Sequence, residues 1–178
     1  MPIVESRKKS LGIYVHIPFC RSKCEYCDFY SLGGARNKEL MDRYLGAVLA
    51  HIREAAPSAI GYEVDTVYFG GGTPTAFSPD DLRLVLGALK KYLPLANDCE
   101  ITLEGRIHNF GDAKMEAALE GGVNRFSLGV QTFNSKVRQS VQRVDDRETI
   151  LKRLDKLCSY DNAALVLDLI YGFPGQTM

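Results

Sequence analysis

Five short apolar segments recur along the chain, each rich in Val, Ile, Leu or aromatic residues. Segments of this length and composition predict β-strands, and the first of them alternates between the two faces of a strand. Between strands, apolar residues recur at intervals of three and four, which predicts amphipathic helices. The predicted strands cover residues 11–17, 64–69, 99–103, 123–130 and 163–170, and the predicted helices cover residues 37–56, 78–93, 112–121 and 145–160.

Capping signals mark where several of these helices begin. Ser78 is followed by Pro79 and two acidic residues, a combination typical of a helix start. Asp145 stands three residues before Glu148 and is predicted to cap the last helix, and Asp112 is predicted to cap a shorter one. The predicted apolar face of the last helix consists of Leu151, Leu154, Leu157 and Cys158.

Strands and helices that alternate in this way form βαβ units, which require a parallel sheet covered by helices. The sequence therefore predicts an α/β fold. In such a fold the carboxyl ends of the strands lie at one edge of the sheet, where ligand-binding residues gather. Several polar or glycine-rich segments follow the predicted strands directly, so we expect them to meet at this edge.

Length and charge narrow the range of functions. The chain has 178 residues, enough for one domain with a substantial core, and its 22 basic residues balance its 22 acidic ones. This balance argues against a general nucleic-acid binder. No apolar segment approaches the roughly 20 residues that cross a bilayer, and the first ten residues do not resemble a signal peptide. We therefore expect a cytoplasmic protein that binds neither nucleic acid nor membrane.

Three cysteines, Cys20, Cys24 and Cys27, lie close together directly after the first predicted strand, and residues 20–27 are called the Cys loop. Thiolates grouped in this way suit zinc or an iron–sulfur cluster. Structural zinc sites usually have four protein ligands, and no nearby Cys or His follows the loop. Three thiolates fit a [4Fe–4S] cluster with one iron open to a small molecule. Zinc and three unrelated buried thiols are the alternatives.

The other two cysteines have a simpler interpretation. Cys99 and Cys158 fall at apolar positions of a predicted strand and a predicted helix, so both are predicted to be buried in the core. Five cysteines without a secretory segment do not indicate disulfides.

Two further segments follow predicted strands. Gly70, Gly71 and Gly72, called the glycine segment, come after the second strand, and three consecutive glycines permit a ligand to approach the backbone closely. A tight turn would require the same residues. Glu104 ends the third strand, where a carboxylate in an α/β barrel faces the active-site edge. A solvated acid is the alternative.

Five segments carry a resemblance to a known family. The Cys loop resembles the CxxxCxxC signature of the radical SAM superfamily. Residues 14–20 (YVHIPFC), 70–74 (GGGTP), 125–133 (RFSLGVQTF) and 168–177 (DLIYGFPGQT) resemble motifs of the oxygen-independent coproporphyrinogen III oxidase family within it. The resemblance extends over nearly the whole chain.

The resemblance implies two cofactors. In this superfamily the three cysteines of the Cys loop hold a [4Fe–4S] cluster, and S-adenosylmethionine (SAM) binds the fourth iron. An electron donor such as flavodoxin or ferredoxin is then required. The SAM-binding residues implied are Tyr14, Tyr26, Gly71, Gly72, Thr73, Glu104, Gln131, Arg143 and Asp168. No separate catalytic residue is assigned. For Tyr14 and Tyr26, the alternative to a role in SAM binding is an ordinary half-buried tyrosine.

The resemblance also refines the fold. Radical SAM cores form a partial parallel (β/α) barrel, and the chain is expected to be such a barrel, truncated after the fifth strand. Residues 1–178 would then be the N-terminal part of a radical SAM core domain. The remainder of the barrel and a C-terminal domain would be absent.

Three groups of the family compete as functional expectations, all involving haem or a related tetrapyrrole. Coproporphyrinogen oxidases usually carry another cysteine where this chain has Phe29. The haem chaperones share a segment like Cys27-Asp28-Phe29. The segment from Glu104 to Phe110 most resembles the anaerobic haem-utilisation group, which transfers methyl groups by radical chemistry and opens the ring. We favour this group, and Arg106 and His108 in that segment suit an acidic or metal-bearing substrate.

Overall fold

A computed structural model describes residues 8–33 and 37–176, so Thr177 of the last motif lies outside the described residues. Strands and helices alternate along the chain. The elements are β1 (Lys9–Ile17), β2 (Phe19–Cys20), β3 (Leu32–Gly33), α1 (Lys38–Ala55), β4 (Tyr62–Gly71), α2 (Pro79–Tyr92), β5 (Leu95–Gly105), α3 (Asp112–Glu120), β6 (Arg125–Gln131), α4 (Ser135–Ser140), α5 (Arg147–Cys158) and β7 (Ala164–Leu169).

Five of the strands form one parallel sheet in the order β1-β4-β5-β6-β7. Each new strand is added beside the previous one, and a helix-containing connection returns the chain to the same end of the sheet. The carboxyl ends of all five strands therefore lie at one edge. This arrangement confirms the predicted α/β fold with five parallel strands.

A single hydrophobic cluster joins the sheet to α1, α2, α3 and α5. Helix α2 shows why the sequence predicts it well: Ser78 and Asp81 form a capping box, and four apolar residues at helical spacing face the sheet. Those four residues, Leu82, Val85, Leu86 and Leu89, are almost completely buried. Burial of each such side chain contributes about 1.5–3 kcal/mol.

Helix α5 corrects two predictions. Its cap is Asp146, whose side chain accepts a hydrogen bond from the Thr149 amide, and not Asp145. The buried face consists of Ile150, Leu154 and Leu157, whereas Leu151 and Cys158 are exposed. One residue turns a helix by about 100°, so adjacent apolar residues such as Ile150 and Leu151 cannot both face the sheet. The prediction that Cys158 lies in the core is wrong, whereas Cys99 is buried as predicted.

The strand and helix limits differ in smaller ways. Helix α3 begins at Asp112 itself, and its cap is Gly111. Strand β5 is about twice as long as the apolar segment that predicts it, because main-chain pairing with β4 begins already at Leu95. Within the described part of the chain, no helix has both the length and the apolar composition needed to cross a bilayer.

Candidate functional site

A cavity of about 290 Å³, called the main cavity, opens at the carboxyl edge of the sheet. The Cys loop forms one wall, and the ends of β4, β5, β6 and β7 contribute to the others. All of the cluster-binding and SAM-binding residues implied by the resemblance, except Tyr14, line it. They are Cys20, Cys24, Tyr26, Cys27, Gly71, Gly72, Thr73, Glu104, Gln131, Arg143 and Asp168.

The Cys loop is closed at its base by a short parallel pairing of β2 with β3, in which Cys20 lies opposite Gly33. Cys24 is buried, whereas Cys20 and Cys27 are partly exposed. The Cys27 amide donates a hydrogen bond to the Cys24 carbonyl at 3.1 Å, so the loop makes a tight turn between these two cysteines. The Cys20 thiol lies 3.4 Å from the Thr73 hydroxyl, which links the loop to the end of β4.

The spacing of the thiols bears on what they can hold. Among the described residues, no three His, Cys, Asp or Glu side chains are grouped as closely as a single metal ion requires. The thiolates of a [4Fe–4S] cluster bind separate irons and therefore need a wider arrangement. The three soft ligands along one cavity wall are of the type that such a cluster uses.

The glycines at the end of β4 allow the Cys loop to pack against the sheet. A Cβ atom at Gly72 would lie 2.9 Å from the Phe19 carbonyl oxygen, and one at Gly71 would lie 2.7 Å from the His16 ring. The Gly72 amide donates a hydrogen bond to the Ile17 carbonyl at 2.8 Å. Gly71 also has a φ of +111°, which favours glycine. Both positions therefore require glycine for steric reasons.

The two carboxylates of the cavity are held by hydroxyl groups. The Tyr68 hydroxyl donates to Oε1 of Glu104 at 2.5 Å, and the Ser127 hydroxyl donates to Oδ2 of Asp168 at 3.2 Å. Burial, together with this bond to Glu104, raises the pKa of Tyr68 well above its usual value. The phenol therefore stays protonated and acts as a hydrogen-bond donor.

Arg143 joins the Cys loop to the end of β6. Its Nε and Nη2 atoms donate to the Tyr26 hydroxyl at 3.1 and 2.5 Å, and Nη1 donates to the Gly129 carbonyl at 3.3 Å. The neighbouring Gln142 side chain donates to Glu25 at 3.1 Å. Burial raises the pKa of Tyr26, although Arg143 acts in the opposite direction. Tyr26 is thus a neutral acceptor that ties the loop to Arg143.

Gln131 ends β6 in a strained conformation. Its φ is +69°, and its side chain is buried. Left-handed backbone at a residue other than glycine carries about 1–3 kcal/mol of strain and is concentrated at functional sites. The Gln131 carbonyl accepts a hydrogen bond from the Ile170 amide at 2.8 Å, which helps to hold this conformation.

Tyr14 lies outside the main cavity. Its side chain is 55% exposed, its hydroxyl is 3.2 Å from Nδ1 of His16, and its ring stacks on Tyr68 with the centroids 6.1 Å apart. Since Tyr68 holds Glu104, Tyr14 reaches the cavity wall only through this intermediate.

Three residues of the site were not singled out from the sequence. Ser127 stands inside the RFSLGVQTF segment, so the motif itself offered a signal. Tyr68 lies in an apolar strand, where a tyrosine is unremarkable. Arg138 is 1% exposed and donates to the carbonyls of Val130, Thr132 and Asp145, which fixes the connection after β6. A lone arginine on a short helix carries no sequence signal of burial.

Comparison with known proteins agrees with this geometry. The chain is 43% identical over 166 residues to anaerobilin synthase of Escherichia coli O157:H7, covering 92% of this chain and 37% of that protein. It is 36% identical over 168 residues to the heme chaperone HemW of Synechocystis, covering 92% and 40%. The structure of coproporphyrinogen III oxidase (HemN) from Escherichia coli superposes with a TM-score of 0.88 at 32% identity, covering 96% and 39%.

The chain thus spans about two fifths of the length of these proteins. The TM-score is high enough that the five-stranded sheet and its helices correspond to the core of the known structure. The sequence model of the radical SAM superfamily matches residues 14–178, which include the Cys loop and all of the elements that build the main cavity. The chain belongs to the radical SAM superfamily.

Proposed function

We propose that this chain is the cofactor-binding part of a radical SAM enzyme that degrades haem by radical methyl transfer and ring opening. The observation that carries the proposal is the 43% identity with an anaerobilin synthase over 92% of the chain. The match of the superfamily model, over residues 14–178, includes the Cys loop, the glycine segment and the strand ends that line the main cavity. Tetrapyrrole chemistry is common to the names of all three relatives described above.

The superfamily implies a [4Fe–4S] cluster and SAM, and the residues of the main cavity fit both. Cys20, Cys24 and Cys27 would hold the cluster, since they supply three soft ligands on one wall and no fourth. When bound, the cluster supplies one electron for the reductive cleavage of SAM. A flavodoxin or ferredoxin would deliver that electron.

The rest of the cavity lining would supply the groups that recognise SAM. The backbone of Gly71 to Thr73 lines the cavity without bulky side chains at the two glycines, and the Glu104 and Asp168 carboxylates suit an ammonium or ribose hydroxyl group. Gln131 adds an amide that can both donate and accept. Arg143 and Tyr26 brace the Cys loop, which keeps these groups at a fixed distance from the thiols.

Tyr14 has a different role in this proposal. It does not line the main cavity, so it would act on SAM binding only by keeping Tyr68 against Glu104. It is a positioning residue in this sense.

A haem chaperone is the second candidate, because a specific observation favours it. Cys27-Asp28-Phe29 resembles the corresponding segment of chaperones, and the Synechocystis chaperone is 36% identical. Such a protein would bind haem and transfer it without turnover. Coproporphyrinogen oxidation, suggested by the superposed structure, is the third candidate, but Phe29 replaces a cysteine usual in that group.

The experiment that separates these candidates measures turnover under anaerobic conditions. The purified protein is reconstituted with iron and sulfide and given SAM and a reductant, with haem, with coproporphyrinogen III or with neither. Mass spectrometry then quantifies 5′-deoxyadenosine and the tetrapyrrole products. A methylated, ring-opened tetrapyrrole is the expected result. Haem that stays intact and bound contradicts the enzymatic proposal and supports the chaperone, whereas decarboxylated coproporphyrinogen supports the third candidate.

A further inference from the structure

A second cavity of about 360 Å³ adjoins the main cavity, and Arg21 and Ser22 of the Cys loop contribute to its lining. Ser22, Arg106 and Arg143 line both cavities, so the two share a wall. A ligand large enough to extend past these shared residues would have one part in each cavity. The family resemblance assigned no residue of the second cavity other than Arg143 to SAM.

Positive charge dominates the second cavity. Arg21, Arg106 and Arg143 line it, and of its described lining residues Asp145 alone is acidic. Across residues 8–33 and 37–176, no carboxylate oxygen lies within 4.0 Å of these three guanidinium groups. The Oδ2 atom of Asp145 also lies 4.0 Å from Nη2 of Arg138, a residue that does not line the cavity. The cavity therefore has an excess of guanidinium groups.

A chain of hydrogen bonds holds Arg21 in this cavity. Its Nη1 atom lies 3.3 Å from Nε2 of His108, and Nδ1 of His108 lies 3.2 Å from Oδ1 of Asp145. Because a guanidinium group can only donate, Nε2 must accept and Nδ1 must carry the proton that is donated to Asp145. Asp145 and His108 thus fix the position of Arg21. Arg106 is fixed separately, by donating from Nη1 to the Ser22 carbonyl at 3.3 Å.

We infer that the second cavity binds the carboxylate side chains of the substrate, an inference that rests on the proposed function. The planar fork of arginine pairs with carboxylates through two parallel hydrogen bonds, and fixed arginines lose little entropy in doing so. Haem carries its two propionates on one edge. With these propionates on Arg21 and Arg106, the ring would extend across the shared wall toward the main cavity.

The test compares haem with haem dimethyl ester, in which both propionates are blocked. Each is titrated in the same detergent against the reconstituted protein, and binding is followed by absorbance. The unmodified protein is expected to bind haem at least about tenfold more tightly than the ester. Arg21→Gln and Arg106→Gln are each expected to weaken the affinity for haem about tenfold and to leave the affinity for the ester unchanged. Arg21→Lys is expected to lose less affinity for haem than Arg21→Gln, because lysine keeps the positive charge.

The controls separate this inference from structural damage. Arg43→Gln removes an arginine exposed on α1 and should change neither affinity. Because Arg21 follows Cys20, the iron content of each variant is measured, and Arg106→Gln gives a second variant outside the Cys loop. SAM binding is measured by equilibrium dialysis, since the SAM carboxylate is another possible occupant.

Four results would overturn the inference. Equal affinity of the unmodified protein for haem and its ester removes the role of the propionates while leaving the proposed function intact. Variants that lower the affinities for haem and its ester equally, or that lower only the affinity for SAM, show that the arginines do not bind the propionates. Failure to bind either tetrapyrrole overturns the proposed function and the inference together.

Discussion

Cys24 is the most deeply buried thiol of the Cys loop, and Tyr26, two residues later, is held by Arg143. A buried thiol that faces a cavity is well placed to keep a cluster away from solvent. This leads to the first prediction.

We expect Cys24→Ala to lose most of the cluster, because two thiolates cannot replace the three-ligand set that a [4Fe–4S] cluster with one open iron requires. Iron and acid-labile sulfide are measured after anaerobic reconstitution. Cys158→Ala is the matched control, since Cys158 is exposed on α5 far along the chain from the loop. Full iron and sulfide content in Cys24→Ala would contradict the assignment.

A second prediction concerns Tyr68. An unperturbed tyrosine ionises near pH 10, and burial with the bond to Glu104 raises the pKa of Tyr68 above that value. The folded-state pKa is raised, so the stability that this neutral phenol contributes is present below about pH 10 and is lost at higher pH. An alkaline absorbance titration follows the ionisation of the tyrosines in the unmodified protein and in Tyr68→Phe. The ionisation step that is present in the first and absent from the second belongs to Tyr68 and should lie above pH 10. A lost step at or below pH 10 would show that the bond to Glu104 is not maintained.

The side chains that the sequence could predict are those with a chemical signature. The Cys loop and Gln131 were found because their residue types and spacing match a motif, and the structure brings them to one cavity. Tyr68 and Arg138 could not be found, since their roles depend on which groups surround them after folding. Tyr14 was singled out because it stands in a motif, yet it lies outside the main cavity. A motif position alone does not place a side chain in the cavity.

The end of β4 and the Cys loop pack through the glycine segment, and this contact gives a third prediction. Gly72 does not have a positive φ, so Gly72→Ala isolates the steric effect of a Cβ atom 2.9 Å from the Phe19 carbonyl oxygen. We expect a loss of about 1–3 kcal/mol in the free energy of unfolding, as in other overpacked sites. Chemical denaturation measures this loss, and the cluster content should fall with it.

The control for this substitution lies in a helix. Gly87 is in α2, and a Cβ atom there would meet no atom within 4 Å. Gly87→Ala should therefore stabilise the protein by about 0.5–1 kcal/mol, the difference in helix propensity between the two residues. Equal effects of the two substitutions would mean that the segment after β4 can move away from the loop.

Helices and strands were predictable to different degrees for physical reasons. Helix α2 combines a capping box with a clean apolar face, so its sequence determines both its start and its orientation. Helix α5 begins after two consecutive aspartates, and tertiary contacts decide between them, because Asp145 is used by His108 and Asp146 remains to cap the helix. The β2–β3 pairing involves only two residues on each strand, too few for a sequence pattern.

The central strands of the parallel sheet and the Cys loop beside them differ in how firmly they are held. Strands β4, β5 and β6 are paired on both sides, whereas the Cys loop is closed only by a two-residue pairing and a few side-chain contacts. Local opening follows the number of buried contacts and protected hydrogen bonds. The loop should thus open far more often than the central strands.

The fourth prediction follows from this contrast. Cluster binding should slow amide hydrogen exchange in residues 20–33 by at least about tenfold, since a group that binds only the closed loop stabilises it. Exchange in β5 should be the same with and without the cluster. Exchange is measured by mass spectrometry on the protein before and after anaerobic reconstitution. Unchanged exchange in residues 20–33 would show that the loop is already rigid without its cofactor.

The bond between Arg143 and Tyr26 has a consequence for biosynthesis. These residues are 117 positions apart, and chains grow at roughly 5–20 residues per second, so about 6–23 s separate the emergence of the loop from that of its brace. During this interval the thiols leave the ribosome without the side chain that later holds the loop. The braced form of the Cys loop therefore becomes available only after Arg143 has left the ribosome.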